Sequence, residues 1–124
     1  MTEPVIKTTS KHPLKRLWHA TGYSLQGLSA AFKNEQAFRL ETYLLVIVVP
    51  LAFYLTDNNF ERAIMIACWL VVMMAELVNS AIEATIDRFG GEHHELSGRA
   101  KDIGSALVFV ALLMFFLVWT LILY

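Results

Sequence analysis

The sequence predicts an all-α integral membrane protein, with one amphipathic surface helix followed by three transmembrane helices. Three observations carry that expectation. The 124 residues are 56% hydrophobic and only 17% charged, with a mean hydropathy of +0.52, unusual for a soluble domain of this size. The apolar residues are grouped in runs rather than spread at amphipathic period. Lysines and arginines crowd some connections and avoid others, as they do around membrane spans. Cys68 is the single cysteine, which excludes an internal disulfide framework; within an apolar run it reads as a small packing residue.

The elements follow in order. Residues 1–13 have no apolar core of the kind a cleaved signal peptide needs, and are expected to form a short mobile tail before a single membrane-embedded domain, 14–124. Leu14, Leu17, Trp18, Thr21, Leu25, Leu28 and Phe32 then recur at helical spacing, with Lys11, Lys15, Arg16, Gln26 and Lys33 elsewhere on the wheel. This stretch is too polar to span, so it is expected to lie in the membrane interface with its basic residues at anionic headgroups. The first span is expected at about 38–55, where Pro50 is tolerable because neighbouring helices can satisfy the freed carbonyl. Asp57, Asn58 and Asn59 form a turn, and the second span follows at about 63–86. The third, 103–124, is almost free of polar side chains and carries Trp119 and Tyr124 as expected interfacial anchors. Each is long enough for a hydrocarbon core of roughly 30 Å, which takes about 20 residues.

Charge sets the expected orientation. Lys7, Lys11, Lys15, Arg16, Lys33 and Arg39 precede the first span, Arg62 alone follows it, and Arg88, Arg99 and Lys101 lie between the second and third. The positive-inside rule then places the N-terminus and the 88–102 connection in the cytoplasm, with the C-terminus outward.

Inside the second span stand two glutamates, Glu76 and Glu83. A carboxylate at the centre of a bilayer costs on the order of 3 kcal/mol on insertion scales, so an intramembrane acid points to function. Seven residues are almost two helical turns, which puts both acids on one face roughly 10 Å apart. Asn79 and Ser80 lie between them, Asp87 continues the face towards water, and Glu35 waits just before the first span. Mg²⁺ takes one or two carboxylates and leaves its other positions to water and phosphate; Glu35 with Glu83 is a suitable pair. Glu76, deeper and drier, faces whatever sits in the lipid.

The segment 90–102 is expected to be a cytoplasmic loop, in which Gly90, Gly91 and Gly98 allow close backbone approach and Lys101 offers a point charge to phosphate. It lacks Walker A spacing. His93 and His94 have no further Cys/His partners for a tetrahedral site and read as solvated. Taken by itself, such a loop more often only connects helices, with Lys101 and Asp102 a solvated charge pair.

Together these residues are recognisable. Glu76-x-x-Asn79-Ser80-Ala81-Ile82-Glu83, then Asp87-Arg88, then Glu95-Leu96-Ser97-Gly98-Arg99-Ala100-Lys101-Asp102 closely resembles the small prokaryotic diacylglycerol kinase family. Gly22-Tyr23-Ser24 and Asn34-Glu35-x-Ala37-Phe38-Arg39 match as well, so the resemblance runs from about Arg16 to Tyr124. It implies a homotrimeric bundle in the bacterial inner membrane, with active sites at subunit interfaces. The implied reaction moves the γ-phosphate of ATP, with Mg²⁺, to the hydroxyl of diacylglycerol, giving phosphatidic acid for phospholipid recycling. By position Glu76 resembles the family's general base, and Glu35 and Glu83 its metal-binding carboxylates. Arg16, Tyr23, Glu92, His93, His94, Lys101 and Asp102 fall with those two acids at nucleotide-contact positions, and Asn79 and Asp87 in the same polar network. Ser24, Phe38, Arg39, Glu41, Ser105 and Trp119 fall with Glu76 near the lipid. His93 stands where the family carries an aromatic residue, and Phe32 where tryptophan is common.

Physical chemistry agrees with that implication. Phosphoryl transfer needs positioning and charge neutralisation more than covalent help. Three spans offer too few walls to bury so many polar groups, so oligomerisation is expected. No nucleic-acid partner is expected. The competing readings are a kinase of the same build acting on undecaprenol, and a small proton-coupled exporter carrying its proton on Glu76. The odd span count and the long polar signature stand against the exporter.

Overall fold

The computed structural model describes residues 12–90 and 94–124. Four helices succeed one another: α1 Pro13–Asn34, α2 Gln36–Leu55, α3 Asn59–Asp87 and α4 Glu95–Leu123. The last three are long and apolar enough to cross a membrane, with lengths of 20, 29 and 29 residues. α3 is the central element and packs against both α2 and α4.

Pro13 opens α1, where its missing N–H and fixed φ suit a helix start. Leu14, Leu17, Trp18 and Leu25 of its apolar stripe are exposed, and Ala31 is the residue it buries. The helix therefore joins the rest of the chain at its last turns alone. Glu35 is the single extended residue between α1 and α2, with φ −110° and ψ 109°, and forms an elbow. α2 runs unbroken through Pro50 and buries Phe38, Glu41, Val48 and Ala52 along one stripe.

The α2–α3 turn is tightly tied. Asn58 Oδ1 accepts from the backbone N–H groups of Phe60 at 2.9 Å and Glu61 at 3.2 Å, capping α3. Arg62 donates to the carbonyls of Thr56 at 2.8 Å and Phe53 at 3.2 Å and to Asn59 Oδ1 at 3.0 Å. Its guanidinium lies over the Phe53 ring, 4.6 Å from the centroid. Thr56 donates to Glu61.

Next to this turn lies an apolar core of Val48, Cys68, Trp69, Val72, Ala75, Ala111 and Phe115. Trp69 meets Phe115 edge-on with centroids 5.0 Å apart, and Phe115 lies 5.0 Å from Trp119. Both indoles also tie helices together: Trp69 Nε1 donates to the Glu41 carbonyl at 3.1 Å, and Trp119 Nε1 to the Met65 carbonyl at 3.2 Å.

α3 begins at Asn59, where Asn58 supplies its cap within the turn, and takes in the expected second span. The structure corrects one expectation. α4 begins at Glu95 rather than 103, so residues 95–102 are two helical turns and not loop. There His94 Nδ1 accepts from the Leu96 N–H at 3.1 Å, and Glu95 pairs with Arg99 one turn on. Trp119, near the end of α4, is half-buried and ties to α3 through its indole N–H.

Candidate active site at the elbow end

Along α3 the polar face passes from dry to wet. Glu76, Asn79 and Ser80 are buried, Glu83 is half-buried and Asp87 is exposed. Asn79, three residues on from Glu76, lies one turn along the same face. Glu83 and Glu35 act on Glu76 electrostatically, and so does Glu41 from α2. Acids from α2, the elbow and α3 thus act on Glu76.

Between α1 and α3 opens a cleft of about 730 Å³, with Ser24, Ala31 and Glu35 on one wall and Ser80 and Ala84 on the other. Among the described residues no group of three or more side chains could by itself hold a metal ion. A pair of carboxylates such as Glu35 and Glu83 is the number that Mg²⁺ takes when phosphate and water supply the remainder. It does not fit a zinc site, which wants four protein ligands or three.

This end also holds buried polar atoms without a partner: Glu41 Oε2, Asn79 Oδ1 and Ser80 Oγ. An orphaned buried acceptor costs about 1 to 3 kcal/mol, and such atoms collect where a ligand binds. Asn79 Oδ1 is pressed against α4 at Gly104, where a Cβ would lie 2.5 Å from it. Gly104 is buried, and only its lack of a side chain lets α3 and α4 meet at this point.

Lys101 stands at the wet end of the face. Its Nζ donates to Asp87 Oδ1 at 2.8 Å, and it also feels the charge of Glu83.

A sequence model described as "Prokaryotic diacylglycerol kinase" matches residues 22–123. The chain belongs to the prokaryotic diacylglycerol kinase family. The diacylglycerol kinase of Haemophilus influenzae is 54% identical over 91% of this chain and 93% of its own length. That of Pseudomonas aeruginosa is 53% identical over 89% of each chain. The Escherichia coli K12 enzyme of the same name is 45% identical over 88% of this chain and 89% of its own. The chain is accordingly a kinase of a membrane-embedded helical type, and the matched stretch takes in the elbow, the acid face and Lys101.

Within this family member, not every residue singled out in the sequence reaches the acids. Arg16 lies on α1 about 28 Å along its axis from Glu35 at 1.5 Å per residue, and Tyr23 stands next to Ser24 of the cleft. Phe38 and Glu41 are buried in α2, while Asp102 and Ser105 are exposed on α4. His94 is occupied in capping α4. Glu92 and His93 fall outside the described residues. Trp119 sits beside Met65, eleven residues or about 16 Å along α3 from Glu76, at the opposite end of the bundle. Arg39 is half-buried and bonds backbone carbonyls of α1. Sequence reasoning missed Gly104; a glycine in an apolar helix, facing a polar pair on the preceding one, is the signal that was available.

Proposed function

We propose that this kinase transfers the γ-phosphate of MgATP to the free hydroxyl of diacylglycerol, giving phosphatidic acid and ADP. The observation that carries the reading is the buried Glu76 on the same face as Glu83, with Glu35 acting on it from the elbow. The names of the relatives supply the lipid.

Each residue then has a task. Glu76 accepts the proton of the lipid hydroxyl as its oxygen attacks the γ-phosphorus. The bond from that phosphorus to the β,γ-bridging oxygen breaks, and ADP leaves with the oxygen. Asn79 belongs with Asp87 to the same polar network. Glu35 and Glu83 would hold Mg²⁺, which supplies neutralisation of phosphate charge when bound. Lys101 exchanges Asp87 for a phosphate oxygen, since both are anionic acceptors for the same ammonium group. Arg16, Tyr23, Glu92, His93, His94 and Asp102 contact the nucleotide, and Ser24, Phe38, Glu41 and Ser105 line the lipid's approach.

The enzyme works in the bacterial cytoplasmic membrane as a homotrimer, its N-terminus and the α3–α4 connection inside and its C-terminus outside. The buried polar atoms without a partner and the open cleft support the trimer, since three spans give too few walls to close around them and a neighbouring copy supplies more.

The test is transfer from labelled ATP by purified protein in mixed micelles, with diacylglycerol and undecaprenol offered separately. Labelled phosphatidic acid is the expected product. Labelled undecaprenyl phosphate alone would change the substrate, and no transfer to either lipid from folded protein would overturn the reading.

A further inference from the structure

Family resemblance places Arg39 among the lipid contacts, yet the structure gives its side chain other work. Arg39 Nη1 donates to the carbonyl of Phe32 at 2.9 Å and to that of Lys33 at 3.2 Å. These belong to the last turn of α1, whose carbonyls have no partner within the helix. The Glu35 N–H already bonds the carbonyl of Ala31 at 2.8 Å. Arg39 thus satisfies two of the three carbonyls that remain. It also holds the far side of the elbow, because its own backbone N–H bonds the Glu35 carbonyl at 3.1 Å. A further brace spans the bend, where Phe32 meets Tyr43 edge-to-face with centroids 5.9 Å apart.

At the centre of these contacts is Glu35. It occupies the N-cap position of α2, where a short polar side chain would commonly bond the helix's free N–H groups. The Glu35 side chain makes no such bond. Arg39 and the backbone hold the bend in its place, which leaves the carboxylate available to the cleft opposite Ser80.

We propose that Arg39 is a positioning residue whose guanidinium locks the α1–α2 elbow, and that this lock holds Glu35 at the cleft opposite Ser80. The proposal rests on the reading of Glu35 as a metal-binding carboxylate. An arginine suits the task because its charged donor is always protonated and bridges two carbonyls at once. Loosening the elbow moves Glu35 away from Glu83 and weakens the metal-nucleotide complex, while Glu76 and its surroundings on α3 stay in place.

The test compares Arg39→Gln, Arg39→Lys, Glu35→Gln and the double variant Arg39→Gln/Glu35→Gln in mixed micelles. Three quantities are read: the Mg²⁺ concentration for half-maximal transfer, the KM for diacylglycerol, and binding of Mn²⁺ with ATP by electron paramagnetic resonance without lipid. Arg39→Gln is expected to raise the Mg²⁺ requirement and weaken Mn²⁺–ATP binding about tenfold, the factor that loss of a charged hydrogen bond gives. Arg39→Lys recovers part of that loss. In the Glu35→Gln background the Arg39 change adds little, because both act through one carboxylate. Amide hydrogen exchange rises around residues 35–39 in Arg39→Gln, which reads the elbow even where a variant is too inactive to assay.

A raised KM for diacylglycerol with unchanged Mg²⁺ dependence would overturn the proposal and make Arg39 a lipid contact. Loss of stability with unchanged Mn²⁺–ATP binding would overturn it too, leaving a purely structural cap. If Glu35→Gln itself leaves metal dependence unaltered, the reading of Glu35 fails first, and that outcome is separately visible.

Discussion

At the end of the bundle carrying the α2–α3 turn, the polar side chains are matched one to another. Arg62 spends its guanidinium on two carbonyls and Asn59, Asn58 caps α3, and the neighbouring core is closed by Trp69, Phe115 and Trp119. At the elbow end, Glu41, Asn79 and Ser80 are buried with an atom unpartnered on each, and acids from three segments stand close enough to repel. Helices in lipid gain little from hydrophobic burial, so their cohesion must come from packing and hydrogen bonds. One end has both. The other leaves polar atoms for a ligand to satisfy, and an open cleft to admit it.

The largest effect that this contrast implies is chemical. Glu76→Gln removes the proposed base and is expected to lower transfer about 10³-fold, within the range for general-base catalysis, while MgATP still binds. Loss of nucleotide binding instead would mean that the metal acids and the base are not separate.

Trp69→Ala acts at the other end. It deletes the centre of the aromatic core and an inter-helix hydrogen bond, and is expected to cost on the order of 3 kcal/mol of stability. Turnover per folded molecule, measured at low temperature, should hold. Gly104→Ala then probes the seam between the two. Its Cβ would strike Asn79 Oδ1, so the helices must part or Asn79 must turn aside, costing about 1 to 3 kcal/mol. Here turnover and melting temperature fall together, unlike either preceding variant.

Smaller effects sharpen the picture. Arg62→Ala is expected to lower stability by about 1 kcal/mol, read in a thermal melt, with no change in the KM for ATP or lipid. Ser80→Ala removes a buried hydroxyl that has no partner, so stability should hold or rise, by up to about 1 kcal/mol. A marked loss of stability in Ser80→Ala would show that the elbow end is braced like the turn end.

How far the sequence anticipates this division depends on the kind of signal. The spans, the surface helix and the shared face of Glu76, Asn79, Ser80 and Glu83 follow from apolar run length and a period of 3.6, which are local properties. The start of α4 does not. Residues 95–102 are polar because they extend beyond the apolar stretch, and polarity reports depth rather than conformation; the cap by His94 decides the helix. Trp119 reads as an anchor by its place near the end of a span, but its hydrogen bond to Met65 depends on how α3 and α4 cross. Gly104 is silent for the same reason, since its role is set by Asn79 on another helix. The bonds of Arg39 to the Phe32 and Lys33 carbonyls are silent too, since they depend on the bend between α1 and α2.

The elbow end gives up stability for its acids, and the melting temperature of Glu76→Gln in detergent without substrates tests this most directly. Removing one of the crowded buried charges should leave that temperature equal to or above the unmodified enzyme's, even as transfer is lost. A clear fall would contradict the account and make Glu76 part of what holds the bundle together.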